Sequence, residues 1–314
     1  MNKLWTPESI APQTDRRVIV TGANSGIGYH TAATLAHGGA EVVLACRNEE
    51  RAADALTRLR REVPNAKVHF EYLDLASLAS VRAFADHQRA LRLPVDILIN
   101  NAGVMAPPRR LETHDGFELQ FGINVLGHFA LTALLLPALE MAANNSSERP
   151  RVVTIASIAH KTGQLDFADL QSTHNYRPMS AYRQSKLADL MFAFELDRHL
   201  RARQSRVISV AAHPGVANTN LFRDDRSSAG RAVRAALGTI VGALFNSDLV
   251  GAFPTLYAAT APEVVGGGYY GPLGLLEARG KQVGPAKVAP QAQSKIDSKR
   301  LWQACETLTG TPLW

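Results

Sequence analysis

The chain contains little cysteine and lacks a long uninterrupted apolar run. Cys46 and Cys305 lie far apart at no metal-ligand spacing, and the 10 histidines form no ligand-spaced cluster, so we expect no disulfide framework and no metal site. The most apolar stretch, 129–143, is too short to span a membrane, contains Glu140 and is interrupted by Pro137. The N-terminal residues lack the apolar core of a signal peptide. These absences predict a cytoplasmic protein without a membrane anchor.

Charge and hydrophobicity exclude further classes of protein. Lys and Arg number 34 against 28 Asp and Glu, and the net charge of +6 raises the question of nucleic-acid binding. The densest basic cluster, Arg58, Arg60 and Arg61, is interleaved with apolar residues at helical spacing. That pattern is typical of a solvated helix face, so we expect no nucleic-acid partner. A hydrophobic content of 46% excludes a disordered chain and indicates a globular protein with a sizeable core.

Short apolar runs alternate with longer helical patterns along the chain. Several of the runs are apolar on both faces, as parallel strands covered by helices on both sides must be. Consecutive units of this kind predict an α/β fold, a single-domain Rossmann-type doubly wound parallel sheet with helices on both faces. We expect an N-terminal extension at 1–15, one domain at 16–314, and substrate loops near 159–179 and 219–247. The predicted strands are 18–21, 41–46, 68–73, 95–99, 151–156 and 207–212, followed by a glycine-punctuated strand after Gly266 and a last helix near 299–308.

The first predicted strand runs directly into a glycine-rich loop and a helix. Within 21–28 the glycines follow the spacing G-x-x-x-G-x-G, which is related to but distinct from G-x-G-x-x-G. Glycine permits a turn that side chains would block, and the helix N-terminus supplies free N–H groups and partial positive charge to a pyrophosphate. The predicted dinucleotide contacts in this loop are Gly22, Asn24, Ser25, Gly26, Ile27 and Gly28.

The end of the second predicted strand indicates which dinucleotide is bound. Enzymes that use NAD usually place Asp or Glu near this point to accept the ribose 2′-OH, and no carboxylate occurs at 44–48. Arg47 instead suits a 2′-phosphate, which a guanidinium can bind through two parallel hydrogen bonds. The alternative is an exposed arginine that begins the next helix. We therefore predict that NADP(H) is preferred over NAD(H), with Arg47 and Asn48 among the cofactor contacts.

Three further residues have the chemistry of a catalytic site. Tyr182 and Lys186 lie one helical turn apart, so the ammonium can stabilise the phenolate of a tyrosine that acts as general acid or base. Such a pair is common on ordinary helices when it occurs alone. Ser157 follows a predicted strand, at the edge where open α/β sheets bind ligands, and its hydroxyl can donate to a substrate oxyanion. Its rivals are Ser172, in a polar loop, and Ser180, at a helix start.

Taken together, these motifs resemble those of the short-chain dehydrogenases/reductases. The resemblance covers residues 16–310, and the separation of 25 positions between Ser157 and Tyr182 is longer than in many members. It is strongest toward the branch of retinol dehydrogenases and protochlorophyllide-reductase-like proteins, through LACRNEER, SIAHKTGQLDFADL, AYRQSKLADLMF, HPGVANTNL and GGYYGP. The motifs that carry it are Thr21 to Gly28, Asn100-Asn101-Ala102-Gly103, Asn124, Ser157, and Tyr182 with Lys186.

The resemblance implies roles that the residue pattern alone does not assign. Asn124 would hold a water that relays protons through Lys186, with an amide satisfied by its own neighbours as the alternative. Asp74 would contact the adenine, with an N-cap for the following helix as an equal alternative. Lys186 would also hold the nicotinamide ribose, and no histidine is given a catalytic role. The remaining implied cofactor contacts are Leu75, Asn101, Ala102, Gly103, Tyr182, Pro214, Gly215, Val216 and Thr219.

The implied function is an NADP(H)-dependent oxidoreductase that transfers a hydride between the nicotinamide and a carbonyl or alcohol, acting on the CH–OH group of its donors. Two rivals stay open: a sugar-nucleotide epimerase or dehydratase, which shares the Tyr-x-x-x-Lys pair, and a catalytically idle cofactor-binding sensor. The first usually carries G-x-x-G-x-x-G and a C-terminal substrate domain, and the second typically loses Tyr, Lys or Ser. The expected partner is a small-molecule substrate, which Leu221, Phe222 and Phe245 indicate to be lipophilic. Both a homodimer and a homotetramer stay open.

Overall fold

The apolar runs assemble into one sheet of eight strands. The structure is a computed structural model that describes residues 5–216 and 246–313. Its strands are β1 (Arg17–Thr21), β2 (Glu41–Cys46), β3 (Val68–Tyr72), β4 (Ile97–Asn100), β5 (Arg151–Ile155), β6 (Ile208–Ala212), β7 (Tyr269–Pro272) and β8 (Val283–Pro285). They lie in the order β3-β2-β1-β4-β5-β6-β7-β8. Strands β1 to β7 are all parallel to one another, and β8 runs antiparallel to β7.

Helices cover both faces of the sheet because each connection between parallel strands must cross over it. Several helices begin at a polar side chain that accepts a backbone N–H; Asn48, for example, accepts from Arg51 at 2.8 Å. The α-helices are α1 (Gly26–His37), α2 (Glu49–Glu62), α3 (Leu78–Leu91), α4 (His128–Asn145), α5 (Pro178–Ala202), α6 (Asp248–Gly251), α7 (Phe253–Thr260) and α8 (Lys295–Thr309). A π-helical segment (Phe121–Gly127) leads into α4, and short 3₁₀ turns occur at Pro7–Ser9, Ile158–Thr162, Leu275–Glu277 and Pro290–Gln293.

Strand β1 shows that both faces of the sheet are buried. Val18 and Val20 belong to an apolar cluster that includes side chains of α1, α2 and α7. Ile19, between them, belongs to a second cluster formed with α3, α4, α5 and α8. Because successive side chains of a strand point to opposite faces, the two clusters are the two helical layers. The predicted fold class is confirmed.

Among the described residues, one helical segment, Phe121–Asn145, is both long and apolar. Its length and composition would allow it to cross a membrane, yet 89% of its most apolar 18-residue window is buried inside the structure. Leu131 and Leu139 of α4 are completely buried. Burial in the core accounts for this composition.

Other sequence predictions can be compared directly with the structure. Cys46 and Cys305 are buried free thiols, and burial raises the pKa of the Cys46 thiol to about 11. Arg58 is exposed on α2 and pairs with Glu62 at 3.2 Å, as expected for a solvated helix face. Strand β8 was not predicted. It follows β7 through a short connection, in which the Leu273 N–H donates to the Gln282 carbonyl at 2.9 Å, and such a connection forces antiparallel pairing.

Candidate active site

The carboxyl ends of β1 and β4 form the crevice in which ligands bind in sheets of this type. The two strands are neighbours, but the helices that follow them pack on opposite faces of the sheet. The glycine-rich loop leaves β1 at Gly22, and Asn101 directly follows β4. Both predicted cofactor-binding segments are therefore brought to the same edge.

The glycine-rich loop fits a dinucleotide phosphate. Gly22 has a left-handed φ of +66°, and a Cβ there would lie 3.0 Å from Ala102. A Cβ at Gly28 would lie 2.5 Å from Asn101 Nδ2, so the loop can turn tightly only with glycine at these points. Ser25 precedes α1, and its hydroxyl does not cap the helix, so it leaves the first-turn N–H groups to another acceptor. A pyrophosphate suits that position.

Thr21 connects the two strands that border the crevice. Its hydroxyl oxygen accepts the backbone N–H groups of Asn101 and Ala102, both at 2.9 Å. The Asn101 side chain donates in return to the Thr21 carbonyl at 2.8 Å. The Thr21 hydroxyl lies 2.9 Å from Nε2 of His128, whose Nδ1–H donates to the Asn124 carbonyl at 2.9 Å. Burial lowers the pKa of His128 to about 4, so the ring is neutral and Nε2 accepts from Thr21.

Asn124 lies in the π-helical segment and is buried. Its Oδ1 accepts the Val104 N–H at 2.9 Å, and its Nδ2 donates to the Val104 carbonyl at 3.1 Å and to Ser185 Oγ at 2.9 Å. A Cβ at Gly103 would lie 3.2 Å from Asn124 Oδ1 and 3.8 Å from Lys186 Nζ. The amide is thus satisfied by its neighbours, as in the alternative prediction, and it lies beside Lys186. The water relay stays a prediction.

Tyr182 and Lys186 occupy one face of α5, a helix that begins with Pro178 in its first turn. The Tyr182 side chain is largely buried, and the Lys186 ammonium donates to the Ile155 carbonyl and to Asp189 Oδ2, each at 2.8 Å. Burial opposes the charge of Lys186, but Asp189 and Tyr182 outweigh it and raise the pKa of the ammonium. The pair predicted from its spacing therefore has a charged lysine next to the phenol.

Ser157 lies just beyond the end of β5, as predicted. It caps the 3₁₀ turn Ile158–Thr162, with its hydroxyl accepting the Ala159 N–H at 3.2 Å. The turn ends at Gly163, where a Cβ would lie 2.5 Å from the Arg183 carbonyl, so the turn packs on α5 beside Tyr182. Of the rival serines, Ser180 is exposed in the first turn of α5.

Four more of the predicted cofactor residues lie after β2 and β3, and one lies outside the described residues. Arg47 is exposed directly after β2, and Asn48 caps α2. Asp74 does not cap α3: Ser77 does, because it is the residue next to the first turn, whereas Asp74 Oδ1 accepts the Ala76 N–H at 3.0 Å. Leu75 is buried. Outside the described residues lie Thr219, Leu221, Phe222 and Phe245, together with most of the second predicted substrate loop.

The segment after β6 packs against a turn near the C-terminus. Gly215 has a φ of +74°, and a Cβ there would lie 2.5 Å from the Ala278 carbonyl. The Val216 N–H donates to that same carbonyl at 2.8 Å. The predicted residues Pro214, Gly215 and Val216 thus reach the edge of the sheet that holds Ser157 and Gly22.

Comparison with known proteins decides the family. A family model described as short chain dehydrogenase matches residues 16–230. The chain belongs to the short-chain dehydrogenases. Polyprenol dehydrogenase from Mus musculus is 45% identical over 308 residues, which cover 98% of this chain and 87% of that protein. Retinol dehydrogenase 13 from Homo sapiens is 43% identical over 298 residues, covering 94% and 85%. The predicted likeness to the retinol dehydrogenase-like branch is confirmed.

Solved structures give the same assignment. An uncharacterised protein from Mycobacterium paratuberculosis is 38% identical with a TM-score of 0.80, covering 99% of this chain and 100% of that one. The RhlG–NADP active-site complex of Pseudomonas aeruginosa is 25% identical with a TM-score of 0.63, covering 82% and 94%. Short-chain dehydrogenases are NAD(P)-dependent oxidoreductases, and the glycine-rich loop of this member fits such a cofactor.

Three residues that contribute contacts to the site of this short-chain dehydrogenase were not predicted from the sequence. His128 follows Asn124 by four residues, and Asp189 follows Lys186 by three, so each was detectable as a polar residue on the same helical face. Glu277 gave no local signal. Its carboxylate accepts from Lys161 Nζ at 2.6 Å and from the Lys287 N–H at 2.8 Å, and it connects the turn after Ser157 to the C-terminal segment. Within the described residues no cluster of His, Cys, Asp and Glu could hold a metal.

Proposed function

We propose that this short-chain dehydrogenase is an NADP(H)-dependent oxidoreductase that interconverts a carbonyl and an alcohol, with Tyr182 as general acid and base. The observation that carries the proposal is the arrangement around Lys186. Its ammonium lies on the same face as Tyr182, beside the Asn124 amide, and donates to the strand end that leads to Ser157. A charged donor next to a phenol in a largely buried cleft is what proton transfer at a substrate oxygen requires.

The residues divide the chemistry among them. A bound nicotinamide supplies or accepts the hydride. Tyr182 donates its proton to the substrate oxygen during reduction and takes it back during oxidation, while the Lys186 ammonium stabilises the phenolate left behind. The Ser157 hydroxyl donates a hydrogen bond to the same oxygen as negative charge develops there, an effect typically worth about 10²–10³ in rate.

The preference for NADP(H) rests on the end of β2. Arg47 is exposed at that point, beyond a strand that lies beside β1 and its glycine-rich loop. A guanidinium there suits a 2′-phosphate and offers nothing that would accept a 2′-hydroxyl. The RhlG structure carries NADP in its active site, which supports the same cofactor class here.

The proposed substrate is a lipophilic alcohol or its carbonyl product. Two relatives more than 40% identical to this chain are named for polyprenol and for retinol, both alcohols on long apolar chains. Hydride transfer with a Tyr–Lys pair acts on the carbon that bears the oxygen and leaves the apolar chain to the surrounding loops. We therefore extend the substrate class named for these relatives to this chain as part of the proposal.

The test is turnover with NADPH on a panel of prenyl, retinoid and short-chain aldehydes and ketones. Tyr182→Phe should lower kcat by about 10²–10⁴ and leave NADPH binding intact. Lys186→Met should also lose turnover and in addition weaken cofactor binding. The double variant should be barely slower than either single one, because residues that act as a unit are strongly non-additive.

The matched control is Tyr257→Phe, which removes an equally buried phenol from α7 on the opposite face of the sheet. It should retain full turnover. Substantial activity in Tyr182→Phe on a good substrate would contradict the general-acid assignment. Binding of NADPH with no turnover on any substrate would favour the sensor, and turnover without net oxidation of NADPH would favour the epimerase.

A further inference from the structure

Asp189 is the immediate neighbour of the lysine in the proposed catalytic pair. Its Oδ2 lies 2.8 Å from Lys186 Nζ, with only 3% of the Asp189 side chain and 6% of the Lys186 side chain exposed. The second contact of the ammonium is the Ile155 carbonyl, also at 2.8 Å. The ammonium is thus held between a carboxylate on its own helix and the end of β5.

Burying a carboxylate at this position costs free energy unless its charge is paired with an opposite charge. The residues around it on α5, from Leu187 to Met191, are otherwise apolar and buried. A buried ion pair gains little net stability over an apolar pair of the same volume, whereas a buried ammonium without a counter-charge is strongly unfavourable. The placement of Asp189 therefore calls for an explanation other than packing.

The other titratable groups that face the pair carry no compensating charge. Tyr182 faces Lys186 from α5, and His128 faces it from α4. Cys305 faces Asp189 from α8. Burial lowers the pKa of His128 to about 4 and raises that of the Cys305 thiol, so both are neutral near pH 7. Among the described residues, Asp189 is the counter-charge of Lys186.

We propose that Asp189 is a positioning residue that keeps Lys186 protonated and directed at the end of β5, so that the ammonium is available to Tyr182. This inference rests on the proposed function for its catalytic consequence, while the ionisation of Lys186 can be measured without any turnover. Without the carboxylate, burial would lower the pKa of the lysine and make its neutral form more accessible. The phenol would then lose the charge that stabilises its anion.

The directions of the two pKa shifts agree with this arrangement. Burial raises the pKa of Asp189 to about 6, with the nearby Lys186 acting against the shift. The pKa of Lys186 is raised despite its burial, through Asp189 and Tyr182. Above about pH 6 both partners are charged, and the pair should persist through the alkaline range in which alcohol oxidation is measured.

The first experiment follows Lys186 directly by NMR. The chain has only eight lysines, so ¹³Cε-labelled lysine gives few signals, and Lys186→Met assigns the one of interest. In the unaltered protein this signal should shift near pH 6 as Asp189 titrates and show a charged lysine beyond pH 10. In Asp189→Asn the lysine should titrate at least about one pH unit lower, because its burial is no longer compensated.

The second experiment measures the pH profile of kcat for alcohol oxidation. Asp189→Asn should move the acid limb upward by about one pH unit or more and lower kcat at pH 7 about tenfold. Asp189→Glu keeps the charge and should retain the profile of the unaltered protein. The matched control is Asp197→Asn, which removes another buried carboxylate of α5, one that pairs with Arg201 instead of Lys186.

The outcomes separate the two proposals. An unchanged Lys186 titration in Asp189→Asn, or a Lys186 signal already typical of a neutral amine at pH 8 in the unaltered protein, would overturn the role of Asp189 whatever the activity. The second of these readouts does not depend on the folding of Asp189→Asn. High turnover in Tyr182→Phe together with a displaced Lys186 titration in Asp189→Asn would instead overturn the proposed function alone.

Discussion

Replacing Thr21 by valine should destabilise this short-chain dehydrogenase far more than the same change at other buried threonines. The Thr21 hydroxyl has four partners: the N–H groups of Asn101 and Ala102 and the Nε2 atom of His128, each at 2.9 Å, and the Ile99 carbonyl at 3.3 Å. Valine has the same shape and removes all of these hydrogen bonds at once. Two strands and the helix that follows Asn124 thereby lose their shared contact.

The magnitude follows from the groups left without a partner. An unsatisfied buried donor or acceptor costs about 1–3 kcal/mol. His128 is completely enclosed, whereas Asn101 and Ala102 are only half-buried and recover part of their loss through water. We therefore expect Thr21→Val to lower the free energy of unfolding by about 3–5 kcal/mol, a large part of the ~5–15 kcal/mol typical of a folded protein.

Two matched threonines complete the series. Thr31 is equally buried, but its hydroxyl makes one bond, to the Ile27 carbonyl inside α1 at 2.8 Å, so Thr31→Val should cost about 1 kcal/mol or less. The buried Thr154 hydroxyl has no hydrogen-bond partner among the described residues, so Thr154→Val should be neutral or stabilising. The expected order of stability is Thr154→Val, then Thr31→Val, then Thr21→Val.

The assay is unfolding in urea or guanidinium chloride, followed by circular dichroism and tryptophan fluorescence, with the slope compared among variants. An unchanged slope with a lower midpoint assigns the loss to the native state. If Thr21→Val and Thr31→Val differ by less than about 1 kcal/mol, the reasoning from unsatisfied partners is refuted.

Two further predictions concern the proposed chemistry. Ser157→Ala should slow turnover by about 10² or more with cofactor affinity unchanged, in steady-state kinetics against the exposed control Ser180→Ala; comparable rates would move the oxyanion role elsewhere. Arg47→Asp should abolish the preference for NADP(H) over NAD(H) in calorimetric titrations, whereas Arg61→Asp, on the exposed face of α2, should retain it. Equal affinities of the unaltered protein for both cofactors would contradict the assignment.

Most of the sheet was predictable because a strand that is buried on both faces appears in the sequence as a short apolar run. Strand β2 was predicted with its observed bounds, and β1 differs by one residue at its start. Right-handed crossovers then limited the topology to few arrangements of consecutive βα units. Strand β8 was missed because three residues in a glycine- and proline-containing segment carry no alternation or apolar run.

The parts of the site that were predicted are those whose residues lie close together in the sequence. The turn that begins at Gly22 and the Tyr182–Lys186 pair each lie within one loop or one helical turn, so their spacing, in the company of the other motifs, indicated their chemistry. The same rule would have identified Asp189. For Asn124 the sequence left two interpretations, and only its observed partners, Val104 and Ser185, show that the amide is satisfied.

The amino-acid sequence by itself thus determined the fold class and the family, and it predicted the Tyr182–Lys186 pair, because these depend on local periodicity and short spacing. The tertiary structure alone decided which distant groups meet. Thr21 reaches His128 across 107 positions, and Lys161 reaches Glu277 across 116. Such contacts depend on strand order, register and the packing of both helical layers at once, and no local pattern in the chain encodes them.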